Sequence, residues 1–198
     1  MVKQERAVRT RRALIRAGAE AFAAEGFVPA SLTTISRRAG VSTGALHFHF
    51  ESKRALARAV EDEAAQAVGE ITRDAVELGG GALQSLMTAT HALMSRIADD
   101  LVVRAGFALC DGLAPEEEKR VSARQEWQRW VEETVRWAER DGQLAEGVPA
   151  AAVAAALVAV TVGLEVLGRA DPAWLAADRV AAVWDLCCGS EKQTVRAD

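Results

Sequence analysis

Apolar residues recur at helical spacing along most of this chain, and glycine or proline marks the points where that spacing is interrupted. In the first such segment, which the spacing predicts to be a helix over residues 9–25, the apolar positions i, i+3, i+4, i+7 and i+8 are Leu14, Ala17, Gly18, Ala21 and Phe22. Gly26 is placed to end this helix, and Pro29 prevents its continuation. No segment alternates with the period of two that a strand requires. The sequence therefore predicts an all-α protein.

Glycine, proline and capping residues likewise divide the rest of the chain into further helices. Thr33 or Thr34 can cap a short second helix, and Gly40 can take the left-handed backbone conformation that ends it. Ser42 and Ser52 are predicted to cap the next two helices, which run over 43–50 and from 53 toward 78. Beyond the three glycines at 79–81, helices are predicted over 83–97, 115–140, 150–167 and 173–186, the last three each introduced by a proline.

The composition agrees with a soluble helical protein and excludes several other classes. Half of the 198 residues are hydrophobic and 26% are charged, which is typical of one globular domain or of two small domains that share a core. The three cysteines form no CxxC pair, so neither a zinc ribbon nor a disulfide framework is expected. The opening MVKQERAVRTRR lacks the apolar region of a signal peptide, and the longest apolar stretch, 148–164, is shorter than a membrane span requires. We therefore expect a cytoplasmic protein with no membrane partner and no cofactor.

Charge is divided unevenly along the chain. Residues 1–58 contain 11 lysines and arginines against 4 acidic residues, a net charge of +7, whereas the remainder carries −11. A basic segment joined to an acidic one suggests that the first contacts a polyanion and the second does not. A run of charge can equally be a solvated face, and charge alone leaves both interpretations open.

The two short helices around Gly40 have the form of a helix-turn-helix. The glycine permits the sharp turn, Val41 is predicted to lie under both helices, and Leu46 and Phe50 are predicted to anchor the second helix inward. The second helix can then enter a major groove, where its first residues meet base edges. Many core hairpins share a glycine-centred turn, but the net charge of +7 favours DNA binding here.

The predicted DNA contacts follow from this arrangement. Gly44 permits close approach to the groove, Thr43 and His47 can reach bases or phosphates, and Lys53 can bind a phosphate at the start of the next helix. The complete predicted set is Arg9, Arg12, Thr33, Ser42, Thr43, Gly44, His47, His49 and Lys53. His47 and His49 are two residues apart and so lie on different helix faces, which argues against a metal site.

These residues resemble the TetR family of bacterial repressors. The matching segments read TTI at 33–35, GVSTGALHFHF at 40–50 and KRAL at 53–56, against a family motif of GVSxGxLYxHFxxKxxL in which His47 replaces the usual tyrosine. The N-terminal KQERAVRTRRALIRAGAEAFAAEGF further resembles the γ-butyrolactone autoregulator receptors of actinomycetes, a TetR subfamily, as do residues 103–106, 126–127 and 183–184.

The resemblance implies a homodimer with two functional segments. Residues 1–55 would bind a double-stranded operator, and residues 56–198 would dimerise and bind a small effector that releases the DNA. In those receptors a tryptophan matching Trp127 lines the pocket and a threonine matching Thr161 hydrogen-bonds the effector. Ala64 stands where some members have a pocket glutamine.

The residues of the second segment also permit plainer interpretations. Trp127, Trp130 and Trp137 form a helical stripe, which is more often core than pocket. Thr161 can bond the backbone four residues back, or it can present a hydroxyl to a polar-headed ligand in an apolar pocket. Further predicted pocket walls are Leu86, Met87, Thr90, Met94, Phe107 and Val162.

The sequence therefore predicts a ligand-responsive repressor. The small residues 150–156 and the helix over 173–186 are expected to form a four-helix dimer interface with a second copy. Two alternatives stay open, namely a pseudo-receptor that senses an antibiotic or another metabolite, and an enzyme or carrier for an apolar small molecule. Against the enzyme, the chain has no Ser/His/Asp or Cys/His set, no phosphate loop and no HExxH motif.

Overall fold

The computed structural model describes residues 2–110 and 121–188, and it confirms the all-α prediction. These ranges contain no strand; they form one 3-10 helix, Pro172–Leu175, and nine α-helices: α1 Val2–Glu25, α2 Leu32–Arg38, α3 Thr43–His49, α4 Lys53–Glu77, α5 Gly81–Asp99, α6 Leu101–Leu109, α7 Ala123–Arg140, α8 Ala150–Gly168 and α9 Ala177–Cys188. The first helix begins seven residues before the predicted start, because its first turns are mostly polar and carry no apolar period.

The caps predicted around the helix-turn-helix are present. The Ser42 side chain accepts a hydrogen bond from the Ala45 backbone N–H at 3.1 Å, and Ser52 does the same for the Ala55 N–H at 3.1 Å. Gly40 has a φ of +69°, the left-handed conformation that glycine adopts without steric cost. Local capping chemistry therefore fixes where α3 and α4 begin.

Three further predicted helix boundaries were wrong. Helix α2 follows Ser31, whose backbone is extended, and so neither Thr33 nor Thr34 is its cap. The helix predicted over 115–140 begins at Ala123; its predicted start at Pro115 lies outside the described residues. The physical reason is a capping box, in which Ser122 Oγ accepts from the Gln125 N–H at 3.2 Å while Gln125 Oε1 accepts from the Ser122 N–H at 3.0 Å.

The third wrong boundary is in the helix predicted over 173–186. The segment consists of the 3-10 helix followed by α9, because Ala176 between them has an extended backbone with ψ of 141°. Asp171 caps the 3-10 helix by accepting a hydrogen bond from the Ala173 N–H at 3.0 Å. Pro172 thus starts a helical turn as expected, although not the helix that was predicted.

The chain forms two compact units. The first comprises Met1–Gly69 and Asp100–Glu126, and the second comprises Glu70–Asp99 and Trp127–Asp198. The predicted division into a DNA-binding segment, 1–55, and a ligand-binding and dimerisation segment, 56–198, describes function and stays a prediction.

In the first unit, α1 packs against α2 and α6, and α2 packs against α3. Leu46 and Phe50 lie in the core with Leu14, Ile35 and Leu56, which confirms that both anchor α3 inward. Val41 packs against this core. Burial of one face of α3 fixes which of its side chains face solvent.

The second unit is built around α5, which packs against α8, α9 and the 3-10 helix. The expectation that the apolar stretch at 148–164 is too short for a membrane span was wrong, because helix α8 continues to Gly168. Its 19 residues are long and apolar enough to cross a membrane by length and composition, and a third of that stretch is buried within the chain. The buried side of α8 contains Leu157, Thr161 and Leu164, whereas its exposed residues include Ala151, Ala152, Ala155, Ala156 and Ala159. An apolar helix with an exposed face of small residues is suited to packing closely against another helix.

Candidate nucleic-acid interface and effector site

The outward side of α3 carries the residues that the sequence singled out. Thr43, Gly44 and His47 are all exposed. A Cβ added at Gly44 would have one atom within 4 Å, Ser42 Oγ at 3.9 Å, so the surface at Gly44 is open. His49 is half-buried, with its ring edge-on to Phe48 at 5.2 Å between ring centroids. The buried side of the helix holds it in the unit while the polar side stays available to a partner.

A buried serine that the sequence analysis missed links the two helices of the motif. Ser36 Oγ donates a hydrogen bond to the Thr33 carbonyl at 3.0 Å and lies 3.4 Å from Thr43 Oγ1. Thr33 itself is exposed on α2. The only signal in the sequence is a polar residue beside Ile35 on the inner side of a short helix, which does not identify its partner.

Lys53 braces the loop between α1 and α2. Its ammonium donates hydrogen bonds to the carbonyls of Val28 at 2.8 Å and Ala30 at 2.9 Å, and it lies 4.8 Å from the centre of the Phe27 ring. Two of its three N–H donors are therefore used within the protein. The predicted phosphate contact stays a prediction. The groups that could make it are the third N–H of the Lys53 ammonium and the backbone N–H groups at the start of α4.

The basic side of α1 exposes Arg9 and Arg12. Arg11 stacks over the buried Phe50 ring, with its guanidinium carbon 5.1 Å from the ring centre. Burial raises the pKa of Glu63 above its ordinary value, and the positive charges of Arg11 and Arg12 oppose that rise. Arg12 therefore has a carboxyl group within electrostatic range, whereas no such effect is shown for Arg9.

In the second unit, the tryptophan and threonine that the resemblance implied are in direct contact. Trp127 is 1% exposed and Thr161 is 4% exposed, and Trp127 Nε1 donates a hydrogen bond to Thr161 Oγ1 at 2.9 Å. The ring of Trp130 lies 5.4 Å from that of Trp127, tilted by 33°. Sequence spacing alone predicted the helical stripe but not this bond, because Trp127 and Thr161 are 34 residues apart.

The Thr161 hydroxyl is also bonded to its own helix. Its oxygen lies 2.9 Å from the Leu157 carbonyl and 3.0 Å from the Val158 carbonyl, and its single proton can be donated to either. With the indole N–H bound as well, only one lone pair of the hydroxyl is left. Of the two interpretations that the sequence permitted, the backbone bond is present, and it leaves room for one further donor.

The predicted pocket walls lie on helices α5, α6 and α8. Leu86 and Thr90 are buried, and the Thr90 hydroxyl donates to the Leu86 carbonyl at 2.7 Å, while Met87 is half-buried. Phe107 is buried on α6, in the first unit. Val162 lines an open groove of about 650 Å³ between α7 and α8, together with Gln128, Glu132, Arg136, Ala150, Ala151, Ala154, Ala155, Val158 and Ala159.

Ala64 has a packing role in the first unit. It is fully buried, and a Cβ added to Gly106 would come within 2.4 Å of the Ala64 Cβ and 3.1 Å of the Val60 carbonyl oxygen. The small side chain of Ala64 therefore permits close approach of α6 to α4. A glutamine at this position would not fit against α6 as packed here.

Models of known families match both parts of the chain. Residues 14–60 match the tetR family of bacterial regulatory proteins, and residues 80–190 match the Tetracyclin repressor-like C-terminal domain. The chain belongs to the TetR family.

Within that family the similarity is to γ-butyrolactone receptors. The A-factor receptor protein of Streptomyces griseus is 32% identical over 175 residues, which cover 86% of this chain and 59% of the receptor. A crystal structure of a γ-butyrolactone receptor described as ArpA-like has a TM-score of 0.75 at 27% identity, covering 96% of this chain and 99% of that one. CprB from Streptomyces coelicolor, in complex with its biological operator sequence, has a TM-score of 0.73 at 28% identity, covering 96% and 100%. The chain thus spans less than two thirds of the A-factor receptor but nearly all of the two solved chains.

Proposed function

We propose that this protein is a transcriptional repressor that binds a palindromic DNA operator as a homodimer and is released by a small apolar effector of the γ-butyrolactone type. The observation that carries the proposal is the outward face of α3, where Thr43, Gly44 and His47 are exposed on a helix whose other side is buried. Such a protein works in the cytoplasm, on the chromosome.

The proposed DNA contacts divide into base and phosphate contacts. Thr43 and His47 carry hydrogen-bonding groups suited to base edges or nearby phosphates, and the absence of a side chain at Gly44 permits close approach. The exposed guanidinium groups of Arg9 and Arg12 suit phosphates, as do Thr33, Ser42, His49 and the remaining N–H of Lys53. Similarity to CprB, a TetR family protein solved with its operator, supports DNA binding.

The proposed dimer interface is the exposed face of α8 together with α9. Alanines on this face permit close helix approach, and Leu186, at the end of α9, is 83% exposed. Burial of about 800 Å² on each partner is typical of a stable interface. A palindromic operator further requires that the two-fold axis of the dimer relate two copies of α3 about one helical turn of DNA apart.

The proposed effector site includes the Trp127–Thr161 pair, with Leu86, Met87, Thr90 and Val162 of the same unit as its predicted walls. A lactone carbonyl has no donor, so it would accept the indole N–H in place of Thr161 Oγ1, whereas an effector hydroxyl could donate to the free lone pair of Thr161. The role of Phe107 stays a prediction. An effector that favours the DNA-free conformation by about 2–3 kcal/mol would weaken operator binding roughly 30- to 150-fold.

Selection of bound duplexes from a genomic or random pool, followed by titration with a lactone, tests this proposal. We expect a palindromic consensus, and a fluorescence change on lactone binding that Trp127→Phe removes while operator affinity is retained. If no duplex is selected, the protein is not a repressor. If an unrelated polyketide releases the operator and no lactone does, the pseudo-receptor alternative is correct.

A further inference from the structure

Phe48 is a large apolar residue exposed on the outward side of α3. It is 82% exposed, whereas the aromatic residue two positions later, Phe50, is 4% exposed and belongs to the core. Single exposed apolar residues are common on protein surfaces. For an exposed phenylalanine on a helix proposed to bind DNA, the possible partners are the groups that the DNA presents to that helix.

The ring of Phe48 is supported from beneath. His49 packs edge-on against it at 5.2 Å, and the same His49 ring lies 6.5 Å from the buried Phe50 ring. Arg11 covers Phe50, 5.1 Å from its centre. Three consecutive aromatic rings thus lead from the core to the surface, and contact with His49 restricts the orientations that Phe48 can take.

Phe48 also lies one helical turn beyond Gly44. Residues four apart share a helix face, so these two positions face the same surface. Gly44 has open space where a side chain would be, which permits close approach of the helix at that turn. A partner that approaches Gly44 closely therefore brings its surface to the Phe48 ring.

The major groove offers one apolar group to such a ring. Every base edge there presents hydrogen-bond donors or acceptors, and only thymine adds a methyl group, at C5. The apolar C–H groups of the sugars are the same at every nucleotide, so the thymine methyl is the apolar contact that depends on the base. We infer that Phe48 is a specificity-determining residue that contacts the methyl group of a thymine in each operator half-site, an inference that rests on the proposed function.

The test uses the full-length protein and the duplex obtained by selection. Each thymine is replaced singly by deoxyuridine, which removes the methyl group and keeps the base pair. For the wild-type protein we expect one position per half-site at which this change weakens binding roughly three- to tenfold. Phe48→Ala should bind the thymine duplex more weakly by a similar factor and lose nothing further at that position.

Val28→Ala is the matched control, since Val28 is 83% exposed in the same unit but lies in the loop before α2. This variant should keep the wild-type sensitivity to deoxyuridine. If Phe48→Ala keeps that sensitivity as well, or if no thymine is sensitive in the wild-type protein, the inference is wrong.

A second measurement covers the case in which Phe48→Ala does not fold or bind. 5-Iododeoxyuridine places a photoreactive iodine where the thymine methyl was, and irradiation of the wild-type complex links it to an aromatic side chain in contact. We expect the crosslinked peptide to contain Phe48, and crosslinks only to other residues would overturn the inference. A wild-type protein that selects no duplex would instead overturn the proposed function itself.

Discussion

The outward face of α3 and the Trp127–Thr161 pair use similar side chains in opposite ways. On α3, the hydroxyl of Thr43 and the imidazole of His47 are exposed to solvent. In the second unit, the Thr161 hydroxyl and the Trp127 indole are buried and bonded to each other at 2.9 Å. The first arrangement is open to a partner, whereas the second is bonded within the chain and leaves only one lone pair of Thr161.

Because of this difference, DNA binding by α3 and effector binding at Trp127 have different free-energy costs. Contact between α3 and DNA displaces water from Thr43 and His47. The internal contact that it can break is the long hydrogen bond between Thr43 Oγ1 and Ser36 Oγ, at 3.4 Å. An effector that accepts the Trp127 indole N–H must first break its buried bond to Thr161. Until the effector supplies a new acceptor, the unsatisfied N–H costs about 1–3 kcal/mol. In the proposed effector site, binding through the indole N–H therefore requires that the bond between Trp127 and Thr161 be broken.

The largest expected effect comes from removing the polar groups of α3. We expect the double substitution Thr43→Ala and His47→Ala to weaken operator binding by at least about 30-fold, because each of the two lost base contacts costs about 1–3 kcal/mol. The folded stability should change little, since both side chains are exposed. Polarisation of a labelled duplex measures the affinity, and thermal unfolding measures the stability. Unchanged affinity would show that another surface contacts the DNA.

The buried pair of the second unit should show the opposite pattern. Thr161→Val leaves the Trp127 indole N–H without its partner, so we expect a loss of about 1–3 kcal/mol in the free energy of unfolding. Trp127→Phe removes the donor, and adding Thr161→Val to it should cost less than Thr161→Val alone. Denaturant unfolding of the four proteins gives the coupling between the two residues. Strictly additive losses would mean that the bond contributes nothing to stability.

Close helix packing in the first unit gives an effect of similar size on stability. A Cβ at position 106 would lie 2.4 Å from the Ala64 Cβ, so Gly106→Ala should destabilise the protein by about 1–3 kcal/mol. Gly69→Ala is the matched control, because nothing lies within 4 Å of its added Cβ and the change favours helix α4 by up to about 1 kcal/mol. Comparison of their midpoints of thermal unfolding checks this prediction. Equal shifts in the same direction would contradict the packing at Ala64.

The smallest effect is expected at Lys53, where bracing and DNA contact can be separated. Lys53→Met removes the hydrogen bonds to the Val28 and Ala30 carbonyls, and it should lower stability by about 1 kcal/mol. If Lys53 also contacts a phosphate, the slope of log affinity against log salt concentration should become less steep by about 0.9. If the slope is unchanged, Lys53 only positions the loop, and the set of DNA contacts is confined to the remaining predicted residues.

Features encoded locally were predictable from the sequence. The Gly40 turn, the Ser42 and Ser52 caps and the inward side chains of Leu46 and Phe50 each depend on residues within one or two turns, and the structure confirms them. The capping box at Ser122 and Gln125 was also local, but the proline and three glutamates at 115–118 suggested an earlier start for the helix.

Features that depend on distant partners were not predictable in the same way. The bond from Trp127 to Thr161 joins residues on α7 and α8, and the bonds of Lys53 reach back to a loop before α2. The packing of Ala64 against Gly106 joins α4 to α6, so the sequence alone could not tell it from a pocket position. Such contacts are set by tertiary packing, and a pattern of residue types does not specify the partner.

Chemical protection of the selected operator by the protein tests the central claim most directly. Dimethyl sulfate methylates guanine N7, which faces the major groove, and adenine N3, which faces the minor groove. With α3 in the major groove, we predict protection of guanine N7 in two half-sites centred about one helical turn apart, with adenine N3 still reactive. Protection of adenine N3 with guanine N7 left reactive would contradict the assignment of α3 as the DNA-reading helix.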